Sequence, residues 1–166
     1  MQGGGTMISV KITQEQRQYA SELAQSIIAY DKLKGFKDKT IGCHNYTHNL
    51  GLLGEVIFAD FLDLPRPKNL EANDNGVDFQ IGENKIDLKT KSFSFGPNLD
   101  LIIYESDLDK LTTHWFMLNI IGNEAFFVGS ISKKKLMEVC ERKDYGFGPR
   151  LAVHYSLLTE FEGVLE

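Results

Sequence analysis

Two short runs of alternating side chains, separated by a turn, constrain the fold of this 166-residue chain more than any other feature. The first run is Gly76-Val77-Asp78-Phe79-Gln80-Ile81, and the second is Asn84-Lys85-Ile86-Asp87-Leu88-Lys89-Thr90. Gly82-Glu83-Asn84 between them has the composition of a hairpin turn. Because successive side chains of a strand point to opposite faces, the two runs predict a β-hairpin with one apolar and one charged face.

The charged face of this hairpin carries two aspartates and a lysine. In the second strand, Ile86 and Leu88 point one way, while Asp87 and Lys89 point the other. Pairing the strands so that both apolar sets reach one core brings Asp78 to the face of Asp87 and Lys89. Crowded carboxylates repel one another unless a positive charge lies among them. Lys89 offsets part of this charge, and a divalent cation with oxygen ligands fits the rest. The alternative is a structural ion pair between Asp87 and Lys89 on a solvated sheet face.

A third carboxylate comes from a helix predicted over residues 47–64. Glu55 falls on the same stripe as Leu52 and Ala59, so it interrupts a face that should pack against the sheet. A carboxylate there costs free energy unless it is paired, hydrogen-bonded or bound to a cation. We interpret Glu55 as a further acidic residue of the site. The alternative is a glutamate at the edge of the stripe that reaches solvent or an arginine.

The remaining patterns predict a mixed α/β domain with helices packed on a central, mostly antiparallel sheet. Thr13 and Gln16 have the spacing of a capping box at the start of a helix. Strongly apolar runs on both sides of Gly122-Asn123 predict a hairpin in the centre of the sheet. The further elements are expected at residues 13–33 (helix), 101–104 (strand), 115–121 and 125–128 (hairpin strands), 132–143 (helix), 151–155 (strand) and from 156 onward (helix).

Composition excludes several classes of protein. Hydrophobic residues make up 42% of the chain and charged residues 25%, which excludes a disordered or fibrous protein. The formal net charge of −5 excludes a polycation that coats nucleic acid, so phosphate binding requires local patches or bound metal. Two cysteines and no apolar run of membrane-spanning length lead us to expect a cytoplasmic protein without membrane partners. We expect residues 1–6 to be a flexible leader or tag remnant, and 7–166 to form a single domain.

Three motifs together resemble the PD-(D/E)xK nuclease superfamily, which includes restriction endonucleases, Holliday-junction resolvases and phage nucleases. They are Gly54-Glu55 on the helix, Gly76-Val77-Asp78 on one strand and Asp87-Leu88-Lys89 on the next. Val77 stands where the motif's name has a proline. The resemblance implies a restriction-endonuclease-like core over about residues 47–155, with a helix, antiparallel strands, a helix and a further strand.

The resemblance also implies roles for these residues. Asp78 and Asp87 would be metal ligands together with the Leu88 carbonyl, and Glu55 would be a further ligand, direct or through water. Lys89 would contact the attacking water or the scissile phosphate, as a base or as a charged group. The implied cofactor is Mg²⁺, for which Mn²⁺ could substitute. The implied activity is hydrolysis of DNA phosphodiester bonds by a restriction-like or junction-resolvase-like endonuclease, from a bacterial, phage or mobile-element context.

Two other functions stay open from the residues. One is a catalytically inactive nuclease-fold module that binds DNA or serves in assembly. The other is a small-molecule-binding protein whose Asp78 and Asp87 hold sugar or amine groups.

DNA is the expected partner, and a homodimer is expected because the sequence has no separate module for reading bases. Candidate contacts to the nucleic-acid backbone are His44, Asn45, Lys85, Lys91 and Arg150.

Overall fold

The computed structural model describes residues 6–35, 43–68 and 76–163, and for residues 43–48 it describes only the backbone. The chain divides into two compact units, Lys11–Ala72 and Met1–Val10 with Asn73–Glu166. The first unit is helical and the second is built on two sheets. The single domain expected over residues 7–166 stays a prediction, because compact units of one chain need not fold independently.

The helical unit consists of α1 (Gln14–Leu33) and α2 (Cys43–Phe61), which pack against each other. The capping box is confirmed: the Gln16 amide donates to Thr13 Oγ1 at 3.1 Å, and the Thr13 amide donates to Gln16 Oε1 at 3.0 Å. The predicted helix over 47–64 starts earlier and ends at Phe61. Asp63 adopts the left-handed conformation with φ of 54°, which ends α2 before Pro65. Among the described residues, no helix is long and apolar enough to cross a membrane.

The larger sheet of the second unit has five strands in the order β1-β6-β5-β3-β2, and it is mixed but mostly antiparallel. The predicted hairpin pairs Phe79 with Ile86 and Ile81 with Asn84. Its turn is therefore only Gly82-Glu83, with Gly82 at φ of 60°. Strand β3 pairs in parallel with β5. The strands are β1 (Ser9–Lys11), β2 (Phe79–Ile81), β3 (Asn84–Lys91), β5 (His114–Ile121) and β6 (Glu124–Ser132).

The smaller sheet is antiparallel, in the order β4-β8-β7, and it covers one face of the larger sheet. Its strands are β4 (Asp100–Ile103), β7 (Glu141–Asp144) and β8 (Pro149–His154). Leu101 of β4 and Val153 of β8 belong to one buried cluster with Trp115 and Met117 of β5. Asp87 and Lys89 pair in register with Trp115 and Met117, so they lie on the face of the larger sheet that packs on the smaller one.

These features bear out an α/β protein with helices and a mixed sheet, and they correct several expected elements. The helix predicted over 132–143 ends at Val139 as α3 (Lys133–Val139), since Glu141–Asp144 pairs with β8 instead. The helix expected from residue 156 is only a 3₁₀ turn (Tyr155–Leu157), because Thr159 pairs with Ser130. Strand β4 joins the smaller sheet, and β1 is a strand that the sequence did not indicate. In each of these segments, pairing with a distant strand overrides the secondary structure that the local sequence pattern predicts.

Candidate functional site

The candidate site begins where the β2–β3 hairpin opens. Asp78 lies directly before β2, and its amide donates to the Ile86 carbonyl at 2.8 Å, which places its backbone opposite Ile86, the residue before Asp87. The next amide of β3 on this side is bound by a side chain and not by a strand, because Asp78 Oδ2 accepts a hydrogen bond from the Leu88 amide at 2.8 Å. The Asp78 carboxylate is thereby fixed at the edge of β3 that β2 leaves uncovered.

Asp87 and Lys89 follow on the same face of β3. Lys89 Nζ lies 3.0 Å from Asp87 Oδ1. The Asp87 residue is only 5% exposed, because β3 has neighbours on both sides and the smaller sheet lies over this face. The Asp87–Lys89 ion pair of the alternative interpretation is thus present, but its aspartate is buried and only its lysine is partly exposed.

The Leu88 carbonyl points to the same edge as the Asp78 carboxylate. In a strand, the N–H and C=O of one residue face the same neighbour, and the Leu88 N–H faces Asp78. The Asp78 carboxylate and the Leu88 carbonyl thus face one edge of β3, and Asp87 is the neighbouring residue on that strand.

Two residues that the sequence did not single out complete the cluster. Asp107 lies in the 3₁₀ helix Glu105–Asp109 that follows β4, and it is 4% exposed. Its Oδ1 lies 2.7 Å from Lys110 Nζ, and its Oδ2 lies 3.9 Å from Lys89 Nζ. The only local sequence signal for Asp107 was a run of acidic residues after a buried strand. That signal does not indicate which strand the run will approach.

The backbone at Gly76 packs closely against Lys110, a member of this cluster. Gly76 has φ of 68°, and a Cβ there would lie 2.5 Å from Lys110 Cδ. The Thr112 hydroxyl donates to the Gly76 carbonyl at 2.6 Å. Only glycine combines this conformation with this close approach, so Gly76 fixes both the path into Asp78 and the stem of Lys110.

The charged forms of both aspartates are disfavoured in this environment. The pKa of Asp78 is raised to about 6, first by loss of solvation and then by the charge of Asp87; the Leu88 amide, Lys89 and Lys110 oppose the increase. The Asp78 residue as a whole is nevertheless exposed. The pKa of Asp87 is also raised, first by burial and further by Asp107, while Lys89 and Lys110 oppose it. The lysines therefore do not fully offset the clustered carboxylates.

Glu55, the fourth predicted member, lies in the helical unit. It is half-buried on α2 and has buried neighbours in Gly54 and Val56. Its approach to Asp78 and Asp87 stays a prediction, since those residues belong to the other unit.

The predicted nucleic-acid contacts fall into three groups. The side chains of His44 and Asn45 lie outside the described residues. Lys85 and Lys91 share the β3 face with Asp87 and Lys89 by strand alternation, and burial lowers the pKa of Lys91 while Asp100 opposes that change. The Arg150 guanidinium lies 4.2 Å from the ring centroid of Tyr104, the residue before the 3₁₀ helix that carries Asp107.

The donor set fits a hydrated Mg²⁺ ion better than a closed metal cage. Among the described side chains, no group of three or more His, Cys, Asp or Glu residues is arranged to hold a metal ion. Mg²⁺, however, keeps several waters and is commonly held by one or two carboxylates. Asp78 and Asp87 are the carboxylates, and the Leu88 carbonyl the further oxygen, that would hold such an ion; because the pKa values of both aspartates are raised, a cation would stabilise their ionised forms.

Comparison with protein-family models, with curated proteins and with solved structures finds no match to this chain. The nuclease resemblance therefore depends on the motif residues and on the geometry that three of them adopt.

Proposed function

We propose that this protein is a metal-dependent endonuclease that hydrolyses DNA phosphodiester bonds. The observation that carries the proposal is the Asp78 carboxylate on the Leu88 amide at 2.8 Å, with Lys89 3.0 Å from Asp87 on the same strand. Carboxylates that can hold a divalent ion, with a lysine beside them, suit metal-assisted hydrolysis of a phosphodiester.

A restriction-endonuclease-like core is part of this proposal. The antiparallel β2–β3 hairpin, the parallel neighbour β5 and the later elements α3 and β8 support it. Two features depart from the implied order: β4 and a 3₁₀ helix lie between β3 and β5, and β8 joins the smaller sheet.

Each residue has a proposed role. Asp78, Asp87 and the Leu88 carbonyl would hold Mg²⁺ or Mn²⁺, with Glu55 as a further ligand. When bound, the ion would polarise a phosphoryl oxygen and lower the pKa of its water. Lys89 places a positive charge beside the position where negative charge develops on the phosphate. The Leu88 amide orients Asp78, so that both carboxylates are in place before substrate arrives.

DNA and a second copy of the chain remain the proposed partners, in a cytoplasmic setting. A homodimer would allow cuts on opposite strands or recognition of a branched junction. The basic groups Lys85, Lys91 and Arg150 would contact backbone phosphates and carry no base recognition.

Cleavage assays test the proposal directly. Plasmid, branched and single-stranded DNA are incubated with the protein, with and without Mg²⁺ or Mn²⁺. We expect divalent-ion-dependent cleavage, and we expect Asp87→Asn and Lys89→Ala to reduce the rate by roughly 100-fold or more. Asp109→Asn and Lys134→Ala are matched controls, because both side chains are exposed. Absence of cleavage of every substrate, or full activity of Asp87→Asn, would contradict the proposal.

An inactive nuclease-fold module is the second candidate, because Lys89 forms an ion pair with Asp87 and the net charge of −5 disfavours a DNA-coating surface. That candidate predicts binding of DNA without cleavage, unaffected by divalent ions. Binding and cleavage measured on the same substrates therefore separate the two functions.

A further inference from the structure

Asp107 lies between two lysines that face the candidate site. Lys110 Nζ is 2.7 Å from one of its oxygens, and Lys89 Nζ is 3.9 Å from the other. The Tyr104 amide donates to Asp107 Oδ2 at 3.3 Å, and the carboxylate is almost completely buried. The buried carboxylate therefore holds the Lys110 ammonium directly and attracts that of Lys89, which Asp87 holds at 3.0 Å.

The segment that carries Asp107 and Lys110 is itself anchored. Lys133 Nζ donates to the Leu108 and Lys110 carbonyls at 3.1 Å each. On the other side, the stem of Lys110 lies against Gly76, where a Cβ would come within 2.5 Å of its Cδ. Lys110 is therefore held near the path of the chain into Asp78.

Both ammonium groups are accessible from solvent. The side chains of Lys89 and Lys110 are 29% and 37% exposed. Their charges also act on both site aspartates, since each lysine opposes the increase in the pKa of Asp78 and of Asp87. The two lysines and the two aspartates thus share one electrostatic environment.

Counting charges indicates what this arrangement would bind. Among these five side chains of the sheet unit, all taken in their charged forms, three carboxylates and two ammonium groups leave one negative charge. One divalent cation at Asp78 and Asp87 changes that charge to plus one. A single phosphodiester then brings it to zero. The cluster should accordingly repel a phosphate without the ion and attract it with the ion.

We propose that Lys89 and Lys110, which lie on either side of the buried Asp107, form a two-ammonium cradle for one backbone phosphate of nucleic acid beside Asp78 and Asp87. The inference rests on the proposed nuclease function, and it adds Lys110 as a phosphate contact and Asp107 as a positioning residue.

DNA binding without cleavage tests the cradle separately from the chemistry. A fluorescent duplex is titrated with protein in Ca²⁺, which has the charge and oxygen preference of Mg²⁺ but a looser geometry. We expect Lys110→Ala to weaken binding by roughly 3- to 10-fold and to reduce the salt slope by about one. Lys110→Arg should bind within about two-fold of wild type, because it keeps the charge. Lys134→Ala, which removes an exposed lysine of α3, should bind as wild type does.

The effect should also depend on the divalent ion. In a chelating buffer, Lys110→Ala and wild type should bind the duplex equally weakly, because the cluster is then net negative.

Equal binding of Lys110→Ala and wild type in Ca²⁺ would overturn the cradle. So would a wild-type protein that binds no duplex. If wild type cleaves DNA while Lys110→Ala keeps its affinity and salt slope, the cradle fails and the nuclease function stands. If Lys110→Ala loses affinity but wild type cleaves nothing, the nuclease function fails and the cradle stands.

Asp107→Asn provides the readout for positioning. The change removes a negative charge near the phosphate, so we expect KM to stay constant or fall. It also removes the ion pair that holds Lys110 and the weaker attraction on Lys89, so we expect kcat to fall by roughly 10-fold or more. A thermal melt of the variant establishes that it is folded. A folded Asp107→Asn protein with unchanged kcat would overturn the positioning role.

Discussion

The two units of this molecule each contain a cluster of carboxylates around basic side chains, and the two clusters have opposite electrostatic character. In the helical unit, Arg66 donates to both oxygens of Glu15 and to both oxygens of Asp60, at 2.7–2.8 Å. In the sheet unit, Lys89 and Lys110 lie among Asp78, Asp87 and Asp107.

The pKa shifts express this difference. Hydrogen bonds from Arg66 lower the pKa of Glu15 and the pKa of Asp60, although loss of solvation opposes both shifts. In the sheet unit, loss of solvation raises the pKa of Asp78 and the pKa of Asp87. The Arg66 cluster stabilises its carboxylates in the charged form, whereas the sheet cluster leaves them short of positive charge. Perturbed groups of the second kind are typical of functional sites.

The largest expected effect tests how the sheet cluster is held. Gly76→Ala should lower the free energy of unfolding by about 2 kcal/mol, because alanine is strained at φ of 68° and its Cβ would displace Lys110. Gly82→Ala is the matched control: φ is 60° in the same hairpin, but a Cβ there meets nothing within 4 Å. We expect about 1 kcal/mol for that change. Urea denaturation measures both, and equal costs would show that Lys110 is not fixed by Gly76.

The second-largest expected effect is a difference between the two clusters in how Tm changes when one aspartate is neutralised. Asp60→Asn should lower Tm by roughly 2–4 °C, because it removes a charge that Arg66 stabilises. Asp87→Asn should leave Tm within roughly 2 °C of wild type or raise it, since the ionised form of Asp87 is disfavoured in the fold. Calorimetry at pH 7.5 in a chelating buffer compares them. A greater loss for Asp87→Asn would make the sheet cluster a structural ion pair.

Parts of this site were predictable from the sequence because they depend on neighbours in the chain. Strand alternation places Asp87 and Lys89 on one face, and the short turn at Gly82 leaves a register in which Phe79 pairs with Ile86. The capping box at Thr13 is equally local. These features require only a period or a turn residue to be identified.

The remaining parts depend on contacts between distant segments. Asp107 reaches Lys89 only because β4 and its 3₁₀ helix fold over β3, and no residue pattern in 101–110 indicates that strand as the neighbour. Likewise, the local pattern of the polar segment Glu141–Asp144 is compatible with a longer helix, but the segment pairs with β8 as a strand. Whether Glu55 reaches Asp78 is a question of the same kind, because the two residues belong to different units.

The smallest expected effect is the dependence of stability on pH, and it concerns the carboxylate that remains open to water. Asp78 has a pKa of about 6 in the fold, against 3.8 as the reference for an unfolded chain. Between these values the folded protein binds more protons than the unfolded one, so stability falls as pH rises from about 4 to about 6. Relative to Asp78→Asn, wild type should therefore lose Tm across this window in a chelating buffer. In Mg²⁺ the loss should reverse above pH 6, because the ion binds the ionised carboxylate and stabilises the folded state by mass action. If the profiles of Tm against pH are parallel for the two proteins in both buffers, the ionised form of Asp78 is not destabilised in the fold, and Asp78 does not bind the ion. The sheet cluster would then be as fully matched as the cluster around Arg66.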